Sequence, residues 1–457
     1  MAELVSFQPT KKLFIDILTR DINIHDCIFE LLDNAVDSYT RNEIDEKREI
    51  QLNFDKNELS IFDNCGGIDK KKLQEEVFRF GTKDFLNNVP TIGLYGIGLK
   101  RSIFKLGELI VFETDDGKDY CKLEIDVNDW LKKKDEEGND IWDIELTETS
   151  TTRLINGQKP FTRIKVKKLR YETIESFVPE FERDLKETVK IYYSRYIQRD
   201  KIIFFINNEK QSGFEIKVKA SDDFKPVKVE DEYEGIKITI FCWLDLREDQ
   251  KRVRKERGRQ GWNVFMNERL VIFDDTLEDT GWLGKQPFLP KFHSIYNQFR
   301  GVVFLNTNDP SKLPINTSKN GFNKEGEIYH YLLNIMVKVA RPFIDFLTDK
   351  YNKQKEKIDE KEDELLKDIS KDSKEEEKKG IVETSIDDTE TEYQSTFTPP
   401  ETAIVTQPIM PQSTISYKKP KRQVDIMKKI LKIRTNWEVG EKTFNFFWES
   451  EGLDEEE

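Results

Sequence analysis

Cysteine is scarce in this sequence, and Cys27, Cys65, Cys121 and Cys242 lie far apart. No pair has the spacing of a metal site, and four isolated thiols do not make a disulfide framework. A reducing, intracellular compartment is expected. Long apolar runs are missing as well. The opening MAELVSFQPTKKLF lacks the apolar centre of a signal peptide. No run approaches the ~18–20 apolar residues that a membrane helix needs. The expectation is a protein without membrane association, cytoplasmic, or nuclear if eukaryotic. Basic residues are outnumbered, 74 against 88 acidic, for a net charge of −14. That balance argues against a surface coated throughout in nucleic acid and leaves room for a local basic patch.

What is present begins with length. At ~100–200 residues per domain, a chain of 457 residues implies two or three domains. Over residues 1–170 the hydrophobic pattern predicts helices at 11–20, 24–40 and 70–80. Strands are predicted at 49–54, 58–63, 108–114, 121–127 and 162–166. Helices interleaved with hairpins suggest an α+β sandwich with helices on one face of a mixed sheet. Residues 171–351 read as a second α/β unit. It has a long helix at 171–196, strands at 201–207, 237–246, 262–267, 269–274 and 301–306, and a closing helix from about 327 to 351. Residues 352–378 form a Lys/Glu/Asp run expected to prolong that helix as a charged arm. Residues 379–416, rich in Thr, Ser, Pro and Asp, have the composition of a disordered linker. Residues 417–457 carry a basic helix-like piece and several aromatics, as a docking segment would.

Four short stretches carry candidate chemistry. In ELLDNAVDS, residues 30–38, Glu30, Asn34 and Asp37 recur at i, i+4 and i+7 and so share one helix face. Facing a cleft, Glu30 could orient and deprotonate a water. Asn34 offers a neutral oxygen suited to Mg²⁺, and Asp37 could hold the site's hydrogen bonds. The same pattern also describes an ordinary solvated helix face. In IFDNCGGI, residues 61–68, Asp63 ends a strand where it could accept from an exocyclic amine, and the glycines allow close backbone approach. An ordinary turn after a strand reads the same way. In IGLYGIGLKRS, residues 92–102, Gly93, Gly96 and Gly98 lead into a helix, where N–H donors suit phosphate. It is not a P-loop, because Leu99 separates the last glycine from Lys100 and Arg101 stands where Ser or Thr would follow. In FTRIKVKKL, residues 161–169, Thr162 opens a strand and could reach a ligand through its hydroxyl.

Together, in this order, the four stretches resemble the motifs of the Bergerat-fold ATPases, the GHKL superfamily. That group includes gyrase-type topoisomerases, the large heat-shock chaperones, sensor histidine kinases, MutL and the MORC proteins. ELLDNAVDS resembles its N-box, DNCGGI its adenine box, GLYGIGLK its glycine-rich lid and FTRIKV its last box. One departure stands out: Cys65 occupies the first glycine position of the family's D-x-G-x-G box, while Gly67 keeps the second. The resemblance implies ATP and Mg²⁺ as ligands, with Glu30 as general base and Asn34 as metal ligand. Asp63, helped by Thr162, would recognise adenine. It also implies nucleotide contacts from Asp37, Gly67, Ile68, Gly93, Gly96, Ile97, Gly98, Leu99 and Lys100.

The second unit resembles the transducer domain of the gyrase, MutL and MORC branch, in which a loop lysine returns to the γ-phosphate. Lys319 is the candidate here and Lys312 the reserve, while Asn267 and Arg269 hold the places of an N-x-R turn. The only histidines are His25, His293 and His330, and His25 lies in the same helix as the N-box, a position that disfavours a sensor histidine kinase. The expected function is an ATPase that cycles between an open form and an ATP-closed homodimer, acting on DNA or a DNA-associated complex. Duplex DNA would be met by the basic clusters at 251–259 and 418–434. The alternative is an ATP-dependent chaperone-like or scaffold protein that recruits an effector through 417–457.

Overall fold

The computed structural model describes residues 9–81, 89–93, 96–221, 223–245, 260–364, 382–387, 391–400 and 419–431, with scattered residues between 436 and 446. Met1–Ala403 cluster as one compact unit and Ile404–Glu457 as another.

The first unit opens with helices α1 (Lys11–Arg20) and α2 (Ile24–Arg41). Asn23 starts α2 by accepting the Asp26 N–H at 2.7 Å, satisfying one of the orphan donors of the first turn. Strands β1 (Arg48–Phe54) and β2 (Glu58–Asp63) follow as a hairpin. Next come α3 (Lys70–Lys72), a π-helical turn, α4 (Gly98–Leu106), β3 (Gly107–Asp115), β4 (Asp119–Asp126), α5 (Val127–Lys132), β5 (Leu146–Thr151) and β6 (Phe161–Leu169). Helices α6 (Tyr171–Ser176), α7 (Pro179–Tyr192) and α8 (Ser194–Gln198) then return the chain to β7 (Ile202–Ile206) and β8 (Glu209–Lys210). These strands form one eight-stranded sheet in the order β5-β4-β3-β6-β2-β1-β7-β8. Every pairing is antiparallel except β1 with β7. The apolar face of α2, with Ile28, Leu31, Leu32 and Val36 buried, belongs to the same core as alternate residues of β1 and β2.

A second sheet contains β10 (Val227–Tyr233), β11 (Ile236–Leu244), β12 (Gly261–Met266), β13 (Arg269–Asp275) and β14 (Phe299–Asn306), in the order β10-β11-β14-β12-β13. Before it lies β9 (Lys217–Ala220), and after it the 38-residue α9 (Glu327–Glu364), whose N-terminal half shares the second core. Strand β15 (Val382–Ser385) pairs antiparallel with β9. Helix α10 (Lys421–Leu431) belongs to the C-terminal unit.

Three expectations change. The strand at 201–207 does not belong to the second unit's sheet: as β7 it pairs in parallel with β1 in the first sheet, and helices α6 to α8 ahead of it make a crossover of the kind a parallel strand needs. The single helix expected at 171–196 is three. Pro179 takes the first position of α7, where its missing N–H costs nothing, and the chain ahead of it is extended. The stretch expected as a disordered linker contributes β15 and buries Ile386 and Phe397. Phe397 stacks on Phe343 of α9 with ring centroids 4.1 Å apart. A few widely spaced apolar anchors docking on a free strand edge do not show in an average composition. The helix through the charged arm runs to Glu364, and residues 365–381 lie outside the described residues.

Candidate active site

Sheet register assembles the first part of the site. Asp63 on β2 pairs with Thr162 on β6, and Thr162 pairs in turn with Thr114 on β3. The three side chains therefore form one row on one face of the sheet, since partners across a ladder point the same way. Asp63 is buried and accepts the Cys65 N–H at 2.9 Å. Burial pushes its carboxyl up to about 7, against 3.8 for an ordinary aspartate. Thr114 accepts the Ile68 N–H at 2.8 Å and lies 3.5 Å from the Thr162 hydroxyl. Gly67 has φ +65°, and a Cβ there would lie 2.3 Å from the Asp115 carbonyl oxygen. Only glycine fits that close approach. Cys65 departs from the family pattern without disturbing the turn. The positive φ values fall on Gly66 and Gly67, and the Cys65 carbonyl accepts from Ser38 and Asn42 at 3.0 and 2.9 Å.

Helix α2 supplies the second part. Asp37 accepts the Ile92 and Gly93 N–H groups, both at 2.8 Å, and so anchors the start of the glycine-rich loop. Burial raises its carboxyl, with Arg41 and Lys319 acting against that rise. At the other end of the loop Gly98 opens α4, and a Cβ there would sit 2.2 Å from a Glu30 carboxylate oxygen. The first turn of α4 therefore lies against Glu30, with N–H groups that have no intrahelical acceptor. Ile97 precedes that turn without a side-chain cap, and Leu99 packs into the core. Lys100 is buried, donates to the Gly96 carbonyl and has no acidic partner among the described residues. Burial lowers its ammonium to about 8.

The third part comes from the second sheet. Lys319, in a loop after β14, is buried and has φ +55°. Its Nζ donates to Glu30 Oε2 at 2.8 Å and to Asp33 Oδ2 at 3.1 Å. Burial opposes that charge, but Asp33, Glu30 and Asp37 outweigh it and hold the ammonium well above its ordinary range. Lys312 points elsewhere, donating to the Glu234 carbonyl at 2.9 Å. Arg101 of α4 also donates to Glu30, through Nη2 to Oε1, and contacts the Thr317 carbonyl at 3.3 Å.

Asp33, Arg101, Asn267, Arg269 and Thr114 carry no site role in the sequence reading. Asp33 accepts Tyr193 Oη and Arg269 Nε, each at 2.7 Å. Burial acts to raise its carboxyl, yet Arg269 and Lys319 prevail and hold it below the usual range. Arg269 also donates to the Lys319 carbonyl at 2.9 Å, while Asn267 donates to the Thr91 carbonyl at 2.8 Å. The turn between β12 and β13 thus grips both the glycine-rich loop and the Lys319 loop. The only sequence signal was the N-x-R spacing, which gives no hint of Asp33 as its partner.

Residues 22–159 match the family of histidine kinase-, DNA gyrase B- and HSP90-like ATPases. Residues 22–159 therefore form a GHKL-type ATPase domain. The matched GHKL segment holds the α2 carboxylates, Asp63 and the glycine-rich loop; Thr162, Asn267, Arg269 and Lys319 lie beyond it. No curated protein matches the chain.

Asn34 carries the side-chain oxygen that a Mg²⁺ held beside substrate phosphates would use. Asn34 is half-buried and its Nδ2 has no partner among the described residues, so the amide is uncommitted. Among the described residues no group of three or more His, Cys, Asp or Glu could cage a metal. A lone oxygen ligand beside substrate phosphates is how Mg²⁺ is commonly held. Among the described residues no helix is long and apolar enough to cross a membrane.

Proposed function

We propose that this chain binds ATP with Mg²⁺ and hydrolyses it, and that Lys319 couples the γ-phosphate to the second sheet. The observation that carries the reading is Lys319, brought from far along the sequence to 2.8 Å from Glu30. In this reading Asp63 accepts the adenine amine, with Thr162 and Thr114 beside it. The α4 N-terminus and Lys100 hold the phosphates. Glu30 orients a water and takes its proton as the water attacks the γ-phosphorus and the bond to ADP breaks. Asn34 would hold Mg²⁺, which offsets phosphate charge when bound. Lys319 exchanges its carboxylate partners for the γ-phosphate, so nucleotide changes what the second sheet is tied to.

Nucleotide affinity is then expected to peak between about pH 7 and about pH 8. Below about 7 the empty site's Asp63 carries a proton that an amine donor must displace, so affinity falls as pH falls. Above about 8 Lys100 is neutral in the empty site, and affinity falls as pH rises. Each limb approaches tenfold per pH unit, because one proton is linked to binding. Asp63→Asn should flatten the acid limb and Lys100→Met the alkaline one, as read by calorimetry. A flat profile in the unaltered protein would count against both roles.

The wider reading is an ATP-closed homodimer of the MORC, MutL and gyrase-like branch acting on DNA. It divides the chain into a nucleotide domain, a transducer-like domain, an arm and a C-terminal docking segment, in a cytoplasmic or nuclear setting. Support comes from the second sheet with its lysine loop and from α10, whose Lys421, Arg422, Lys428 and Lys429 are basic. The cluster at 251–259 lies outside the described residues. A non-hydrolysable ATP analogue should double the mass in light scattering, and duplex DNA should raise turnover at low salt but not at high salt. A chaperone-like or scaffold reading draws on Ile426 and Ile430, exposed one turn apart on α10. Intact dimerisation without any DNA effect would favour it.

A further inference from the structure

Arg101 carries more than a helix-to-helix staple would require. It is the fourth residue of α4, with its side chain 14% exposed. Arg101 and Lys319 share the Glu30 carboxylate: Arg101 Nη2 holds Oε1 while Lys319 Nζ holds Oε2. The same Nη2 reaches the Thr317 carbonyl at 3.3 Å, two residues before Lys319. Asp26, one turn ahead of Glu30, adds negative charge on the same side. Arg101 Nε is buried and has no partner among the described residues. Buried donors are rarely left so, and one that is calls for a reason.

We propose that Arg101 is a positioning residue that fixes the Glu30 carboxylate and the 316–321 loop in one geometry, so that the base is set only while the lysine loop is docked. This rests on the ATPase reading. An arginine suits the task because its planar group directs donors along fixed lines. One N–H₂ can serve a carboxylate and a carbonyl at once, which couples the orientation of Glu30 to the position of Thr317. Lysine offers a hydrated point charge that can keep the ion pair without fixing either direction.

The test uses the full chain with Arg101→Gln and Arg101→Lys. Arg101→Gln should lower kcat by about 10–100-fold, the range that a small misplacement of a catalytic group produces. Its nucleotide Kd should stay within about threefold, because no ligand contact is assigned to Arg101. Hydrogen exchange of peptides spanning 316–321 should rise. Arg101→Lys should restore thermal stability but not kcat, which separates positioning from a charge staple. Recovery of kcat along with stability in Arg101→Lys would overturn the proposal. So would unchanged or raised turnover in Arg101→Gln, or unchanged exchange in the loop. Glu30→Gln, measured in parallel, keeps the two readings apart. Wild-type turnover in Glu30→Gln removes the general base, while the exchange data still decide whether Arg101 holds the loop.

Discussion

Glu30→Ala should abolish ATP hydrolysis while nucleotide still binds and accumulates a closed dimer. Glu30 lies beside the α4 N-terminus and meets both Arg101 of α4 and Lys319 of the loop after β14. A positioned general base contributes roughly 10²–10⁴ in rate, so turnover should fall at least that far under saturating ATP. Binding should persist, because the proposed reading gives the adenine and phosphate contacts to Asp63 and the glycine-rich loop. Removing the carboxylate also frees Lys319 of one of its anions, and a phosphate can replace it. Nucleotide affinity should therefore hold or rise, as equilibrium binding of ADP and an ATP analogue will show. Loss of binding together with activity would sink the general-base role and make Glu30 a structural counter-ion.

Asp33→Ala is expected to be the most damaging single change to stability. Asp33 and Arg269 are each 2% exposed and bonded at 2.7 Å, with Lys319 and Tyr193 on the same carboxylate. Truncating one partner of such a pair leaves a buried charge uncompensated, at a cost of about 3–5 kcal/mol. The sign with pH follows from the lowered Asp33 carboxyl. Its stabilisation is fully present above the ordinary aspartate range and fades as pH falls through the depressed native value. The gap between variant and parent in urea unfolding should thus be widest near neutrality and close in acid. A loss under about 1 kcal/mol at pH 7, the level of an exposed pair, would show that the cluster relaxes into solvent.

Some of this was legible without coordinates. The i, i+4, i+7 stripe of α2 follows from helix periodicity alone, and in the structure Glu30 meets Lys319 while Asp37 holds Gly93. The row of Asp63 and Thr162 was half-legible: both residues could be named, but not the register that puts Thr114 beside them. Lys319 could be chosen over Lys312 only by the look of its loop, whereas the structure separates them by partner, Glu30 against the Glu234 carbonyl. Asp33 was overlooked because the stripe was drawn through its neighbours. Its burial depends on Arg269 and Tyr193, more than 150 residues away in sequence.

The sequence by itself determined the local part of this protein: the helix with its carboxylate stripe, the glycines a turn and a helix start require, and the strand carrying Asp63. Such features depend on residues within a few positions of one another, where backbone periodicity and steric freedom decide. Only the tertiary structure decided that β7 joins the first sheet, that β15 pairs with β9, and that Lys319, Arg269 and Arg101 converge on Glu30 and Asp33. Those contacts join buried charges from distant segments. A buried charge is tolerated only where an opposite charge is brought to it, and no local pattern states which segment will bring it.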